Sequence, residues 1–302
     1  MSRDTAGPLV GVATTGLDSY NAAALASATT VIIQYSTSFG LAARLLAPGL
    51  RDEVRSIYAL VRIADEIVDG AASGAGIDLA GQRELLDDLE QETERALTRG
   101  FSTNLVVHAF AVTARRVGIN PTLTRPFFAS MRRDLDPAPF TAVSVAEYIY
   151  GSAEVVGLMC LRSFLRESPR TPQELAILEH GARSLGAAFQ KVNFLRDLAA
   201  DRDALGRNYF PGVDLTRLTE PQKLLLLDDM DADLDAAARV LPLLPPGSRR
   251  AVTAAHRLFA RLSAKLRETP AQALMSTRVR VPDPEKLMIA LSSSLGPQAW
   301  RR

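Results

Sequence analysis

Two groups of polar side chains recur at helical spacing, and their types suit the binding of a phosphate ester. Tyr58, Arg62, Asp65 and Asp69, within YALVRIADEIVDG, fall at i, i+4, i+7 and i+11, with Glu66 beside the first aspartate and Gly70 placed to close the helix. Gln190, Asn193, Asp197 and Asp201, within QKVNFLRDLAAD, fall at i, i+3, i+7 and i+11, a single stripe on the helical period. Carboxylates four residues apart on one helix repel by roughly a few tenths of a kcal/mol. Each pair therefore needs a partner, and a divalent cation is the obvious candidate. Two such helices facing one another would line a cavity with hard oxygen ligands. Mg2+ suits that set, because it binds through one or two carboxylates plus substrate phosphates and keeps some water.

Composition narrows the alternatives. Of 302 residues, 35 are Lys or Arg and 34 Asp or Glu, for a net charge of +1, so no global field favours nucleic acid and no such partner is expected. Cys160, the single cysteine, excludes an intramolecular disulfide and reads as a small buried hydrophobe within VVGLMCLRSFL. His108, His180 and His256 lie far apart with no second ligand at metal spacing, which argues against zinc. The N-terminus lacks the basic region and compact apolar core of a signal peptide, so a cytoplasmic location is expected. From Ser19 to Ala43 there is no charged residue, a length that could cross a bilayer. Its Asn21, Gln34 and many Ser and Thr make it a buried helix of small residues instead.

The elements that must position the two polar stripes are all helical. Residues 1–17 are Gly- and Thr-rich without period and read as loose; residues 18–302 form one all-helical domain with no boundary inside it. Helices are expected near 20–46 with a break around Ser36 to Gly40, then at 50–69, 78–98, 103–117, 121–135, 144–166, 172–203, 216–240, 248–267 and 283–295. The breaks fall at turn chemistry such as Pro48-Gly49, Gly70 to Gly76, Gly118 to Pro121, Pro211-Gly212 and Pro245-Pro246-Gly247. No strand alternation and no repeat of fixed period is present. The acidic faces of 78–98 and of LDDMDADLDAA at 227–237 read as solvated surface.

On these motifs the chain resembles the trans-isoprenyl diphosphate synthases of the squalene and phytoene synthase type, and the bacterial phytoene synthases in particular. The likeness runs from about Ser36 to the C-terminal region. It is carried by Tyr58, Arg62, Asp65, Glu66 and Asp69; by Gln190, Asn193, Arg196, Asp197 and Asp201 followed by GRNYFP; by Ser38-Phe39 in YSTSFGLAARLL; by MRRDLD with Asp134; and by EYIYGSAEVVGLM with Tyr148 and Gly157. The implied fold is a single-domain, all-α isoprenoid-synthase bundle around a central apolar cavity. The implied reaction joins two geranylgeranyl diphosphates head to head, through a cyclopropylcarbinyl diphosphate, to phytoene, the first step of carotenoid synthesis.

The resemblance also assigns roles. Asp65, Asp69, Asp197, Asp201 and Tyr148 would be catalytic, with Asn193 joining the four aspartates as metal ligands. Ser38, Phe39, Tyr58, Arg62, Gln190, Asn193, Arg196 and Tyr209 would bind substrate, the arginines gripping diphosphate oxygens with their planar forks. Mg2+ is the expected cofactor, Mn2+ its alternative, and NADPH is not expected, because the last step only loses a proton. A lipid product implies peripheral contact with a membrane. Arg278 and Arg280, in STRVRVP, read as surface cations. The first aspartate pair departs from DDxxD, which argues against ordinary chain elongation. Glu154 stands where relatives often carry Gly, and either points outward or joins the polar site. Two alternatives stay open: a squalene or dehydrosqualene synthase using farnesyl diphosphate, and a non-catalytic helical binding protein on the same scaffold.

Overall fold

The computed structural model describes residues 15–36, 38–136, 138–198, 208–214 and 217–294, and every regular element among them is helical. Helix α1 (Gly16–Tyr35) opens on a capping box between Thr15 and Asp18 and ends at extended Ser36. After α2 (Ser38–Ala43), α3 (Pro48–Val68) starts on a proline at its first turn and stops before Gly70, whose φ of 125° only glycine adopts without strain. Then come α4 (Ala71–Gly74), α5 (Leu79–Arg99), α6 (Leu105–Val117) and α7 (Pro121–Asp134), the last three capped by Asp78, Asn104 and Asn120. Helix α8 (Ala142–Ile149) passes through a π turn at Tyr150–Glu154 into α9 (Val155–Leu165). The second half holds α10 (Pro172–Arg196), α11 (Glu220–Val240), a 3-10 turn at Leu241–Leu243, α12 (Pro246–Glu268), α13 (Ala271–Leu274) and α14 (Asp283–Ser294).

The expected break at Ser36 to Gly40 and most helix positions agree with these elements. Several details differ. Of the segment 1–17, residues 1–14 lie outside the described residues, and Thr15 to Leu17 already belong to the capped start of α1. Of the uncharged stretch, Ala24, Ala28, Ile32, Ala42 and Ala43 are buried, while Ile33 and Tyr35 are exposed; no helix among the described residues is long and apolar enough to cross a membrane. Helix 172–203 is not continuous: α10 ends at Arg196, with Asp197 as its C-cap at φ −97° and ψ 10°.

The acidic run at 227–237 is not simply solvated either. Asp229 and Asp233 bind Lys191 of α10 at 2.6 and 2.8 Å, and Asp228 and Asp231 bind Arg267 of α12, both at 2.8 Å. The run therefore rivets three helices together.

Among the described residues the two largest apolar cores carry the bundle. One fills the space among α3, α5, α6, α7 and α9 with Ile57, Leu86, Phe110, Phe127 and Met159; the other joins α10, α11 and α12 through Leu195, Leu227 and Leu266. Buried Glu53 crosses the first core's margin, accepting from Arg166 at 2.6 Å and facing Arg116 at 3.6 Å. Helix α10 reaches the π turn because Gly186 has no side chain: a Cβ there would meet the Ala153 carbonyl oxygen at 2.6 Å. Overpacking of that kind typically costs about 1–3 kcal/mol. Gly186→Ala should therefore lower the denaturant midpoint of unfolding by that order, and an unchanged midpoint would contradict the close contact.

Candidate functional site

Helices α2, α3, α9, α10, α11 and α12 enclose an apolar cavity of about 220 Å³. Val61, Gly157, Cys160, Ala182 and Leu185 form its walls. At one end Phe39 stacks near Tyr58, with centroids 6.1 Å apart, and meets Phe189 edge-on at 6.5 Å; Phe189 lies flat on Phe259 at 3.8 Å. At the other end Leu161, Leu178, Val240 and Leu244 pack together and close it. From Leu178 to Phe189 the cavity follows α10 for eleven residue steps, about 16 Å at the helical rise.

The polar residues of α3 gather at the Phe39 end. Arg62 donates to Asp65 at 2.7 Å and to Glu66, and its guanidinium lies 4.6 Å from the Tyr35 ring. Burial by itself would lower the Arg62 pKa, but Asp65 and Glu66 outweigh it and hold it above its ordinary value. Its Nε–H is buried and meets no acceptor among the described residues. Burial pushes the Tyr58 phenol up, against the opposing pull of Arg62 and a hydrogen bond with Ser36, so Tyr58 is a neutral phenol. Asp69 is the C-cap of α3 and is exposed. Ser38 begins α2, but its side chain lies outside the described residues.

The second group sits at the end of α10. Half-buried Gln190 and Asn193 precede Arg196, whose guanidinium forks onto Asp197, with Nε at 3.0 Å from Oδ1. Arg278, read from sequence as a surface cation, reaches the same carboxylate: its Nε is 2.7 Å from Asp197 Oδ1 and a second nitrogen 3.3 Å from Oδ2. Arg278 is exposed, as the sequence reading has it, and the pairing arises because the turn between α13 and α14 folds back over the α10 terminus. Arg196, Arg278, Arg280 and Lys286 together line a basic opening with Gln34 and Tyr35. Asp201 lies outside the described residues.

A third group was only partly visible in sequence. Tyr148 donates to Asp134 at 2.9 Å and Tyr209 to the other Asp134 oxygen at 3.4 Å, within a cluster of Phe140, Phe194 and the two tyrosines. Asp69 and Asp134 face one opening of about 690 Å³. Phe140 and Phe194 escaped notice because each is one aromatic in a hydrophobic context, with no spacing that marks a site. Glu154 turns away and accepts from Arg183 at 2.6 Å, which settles its direction: outward.

The donor chemistry fits a hard divalent cation. Asp65, Asp69 and Asp197 supply carboxylates, and the Asn193 Oδ1 is a buried oxygen with no hydrogen-bond partner among the described residues, a group that a cation would satisfy. Among the described residues no three acidic, His or Cys side chains converge on one point, and Arg62 and Arg196 pair with Asp65 and Asp197.

The family model described as squalene/phytoene synthase matches residues 32–285. The chain belongs to the squalene/phytoene synthase family. Among curated members it is 30% identical over 257 residues to the 15-cis-phytoene synthase of a Paracoccus species, covering 80% of this chain and 82% of that one. It is 28% identical over 279 residues to the 15-cis-phytoene synthase of Enterobacter agglomerans, covering 86% and 91%. Its fold matches the crystal structure of a dehydrosqualene synthase in complex with ligand, with TM-score 0.76 and 22% identity over 93% of this chain and 99% of that one. The squalene synthase HpnC from Alicyclobacillus acidocaldarius superposes with TM-score 0.70 and 21% identity, over 84% and 96%.

Cys160 offers a check on the cavity wall of this family member. It lines the cavity, and burial pushes its thiol up to about 12. At pH 8 it stays protonated, so a thiolate-selective reagent should label the native protein about three orders of magnitude more slowly than free cysteine. Labelling at the free-cysteine rate would mean that the wall is open to water.

Proposed function

We propose that this chain condenses two molecules of geranylgeranyl diphosphate head to head to phytoene, through a cyclopropylcarbinyl diphosphate. The observation that carries the reading is that α3 and α10, which line the apolar cavity with Val61 and Phe189, also carry Arg62 and Asp65 and, at the end of α10, Arg196 with its Asp197 cap. The likeness to curated 15-cis-phytoene synthases supports the choice of the longer substrate.

Asp65, Asp69, Asn193, Asp197 and Asp201 would hold Mg2+, or Mn2+ in its place, which supplies Lewis-acid neutralisation of the departing diphosphate. Arg62 and Arg196 bind diphosphate oxygens through their forks, with Arg278 as a third guanidinium on the same side. Tyr58, Gln190, Asn193 and the Ser38-Phe39 segment position the substrate at the lip. Phe39 and Phe189 keep water from the allylic cation, and the aromatic faces of Tyr148, Phe194 and Tyr209 stabilise its charge. The final step only loses a proton, so NADPH has no part in it. Exposed Leu287, Met288 and Leu291 on α14, beside the basic opening, support peripheral contact with the membrane that receives the product.

The test is an end-point assay with Mg2+ and geranylgeranyl diphosphate but no NADPH. A C40 hydrocarbon with a conjugated-triene spectrum is expected; a C30 product from farnesyl diphosphate alone would replace this reading with a dehydrosqualene or squalene synthase. Asp65→Ala and Asp197→Ala should each lower turnover by roughly 10²–10³-fold, the scale of removing a group that stabilises transition-state charge. Full activity in either variant would remove these residues from the site, and no product from any prenyl diphosphate would favour a non-catalytic relative. Arg278→Ala should weaken substrate binding about tenfold or more, as the loss of a charge-assisted hydrogen bond does. An unchanged KM would return Arg278 to the surface.

A further inference from the structure

The face that α10 turns to the apolar cavity runs from Leu178 through Gly181, Ala182, Leu185 and Gly186 to Phe189, three helical turns. Its far end is closed by a contact that only a glycine allows. A Cβ on Gly181 would meet three atoms of the Val240 side chain at 2.1, 2.9 and 3.0 Å, so Val240 lies in the space the missing side chain leaves. Val240 is the last residue of α11, and Leu244, which follows the 3-10 turn Leu241–Leu243, packs in the same apolar cluster with Leu161 and Leu178. Arg249 of α12 holds this turn in place, donating twice to the Leu244 carbonyl, at 2.9 and 2.7 Å. Where α11 ends therefore fixes how far the cavity runs.

An apolar end wall can measure length. Each isoprene unit adds four bonds to an extended prenyl chain, roughly the rise of one helical turn. Three turns of α10 thus match three isoprene units laid against this face. Past Phe189 the helix runs one more turn to Asn193, whose buried Oδ1 meets no partner among the described residues, and ends at Arg196 with its Asp197 cap. A fourth unit, the one that carries the diphosphate, spans that turn. A C20 chain has four units; a C15 chain held at the same polar end would leave the turn at Gly181 empty, and a C25 chain would strike Val240. Resting on the prenyl-condensation reading above, we propose that Gly181 and Val240, with Leu244 beside them, set the length of prenyl chain that the protein takes: Gly181 seats Val240, and Val240 stops the chain at four isoprene units. Selection is by size alone, because the side chains at this end are apolar. Filling the last turn gains apolar burial, and exceeding it overpacks the wall.

The test measures dissociation constants of the C10, C15, C20 and C25 prenyl thiolo diphosphates by calorimetry with Mg2+, which reads binding without turnover. In the parent, affinity should rise about tenfold or more with each added isoprene unit up to C20 and fall about tenfold or more at C25. The double variant Val240→Ala with Leu244→Ala removes as many carbons as one isoprene unit holds, and its optimum should move to C25. Ala182→Leu, which fills the wall one turn above Leu178, should move the optimum to C15. An optimum that stays at C20 in either folded variant would overturn the proposal, as would a parent that takes C25 as tightly as C20. An optimum at C15 in the parent would contradict the turn count and overturn it too. Should the double variant fail to fold, Val240→Ala replaces it and should narrow the gap between C20 and C25 by about threefold or more, an unchanged gap being the contrary result. Length selection and condensation are separable here. A parent that binds the series with these optima but forms no hydrocarbon loses only the condensation reading, and one that binds none of the series loses both.

Discussion

Carboxylates at the lip of an apolar cavity are tolerable only when cations hold them, and the rest of this structure is arranged around that pairing. Arg62 holds Asp65, and Arg196 and Arg278 together hold Asp197. None of these pairs is deeply buried, so their contribution to stability is small, and what they fix is position. The same guanidinium forks that hold a carboxylate match a diphosphate equally well. An incoming diphosphate with its cation would exchange partners with this network rather than assemble one. Among the described residues the Arg62 Nε–H and the Asn193 Oδ1 meet no partner, and the proposed exchange would use them as donor and acceptor.

That lip works only if the space behind it stays dry. Small residues open the space: Ala42, Ala43, Gly157, Ala182 and Gly186 leave room where larger side chains would fill it. Large residues then close the ends, with Phe39 and Phe189 beside the charged groups and the Leu161, Leu178, Val240 and Leu244 cluster at the far end. The π turn at Tyr150–Glu154 belongs to the same device. It shifts the register between α8 and α9, so that Tyr148 meets Asp134 while Gly157 and Cys160 face the cavity.

Much of this was legible in the sequence, because helical periodicity and turn chemistry are local. The break after Tyr35, the stop at Gly70 and the ends of most helices follow from caps, glycines and prolines. The α3 stripe also follows from spacing alone. What spacing does not carry is the pairing of residues distant in the chain. Arg278 lies 81 positions from Asp197, and no period links them. Charge pattern likewise separates a solvated acidic face from a riveted one only when the partners are known, as Lys191 and Arg267 show for the run at 227–237. The end of α10 at Asp197 was missed for a related reason: nothing in KVNFLRDLAADRD breaks a helix locally. Substrate length stayed out of reach because it depends on which side chains end the cavity, and Leu178 and Leu244 meet there from helices far apart in sequence.

The central claim is that the two aspartate groups act together on one diphosphate. Calorimetry with a thiolo analogue of geranylgeranyl diphosphate, which binds but does not ionise readily, tests it directly when run with and without Mg2+. The account predicts that Mg2+ tightens binding by about a hundredfold or more, and that Asp65→Asn and Asp197→Asn each abolish that gain, since each removes a charge the cation needs. Binding that is equally tight without Mg2+, or a gain lost in only one of the two variants, would contradict it.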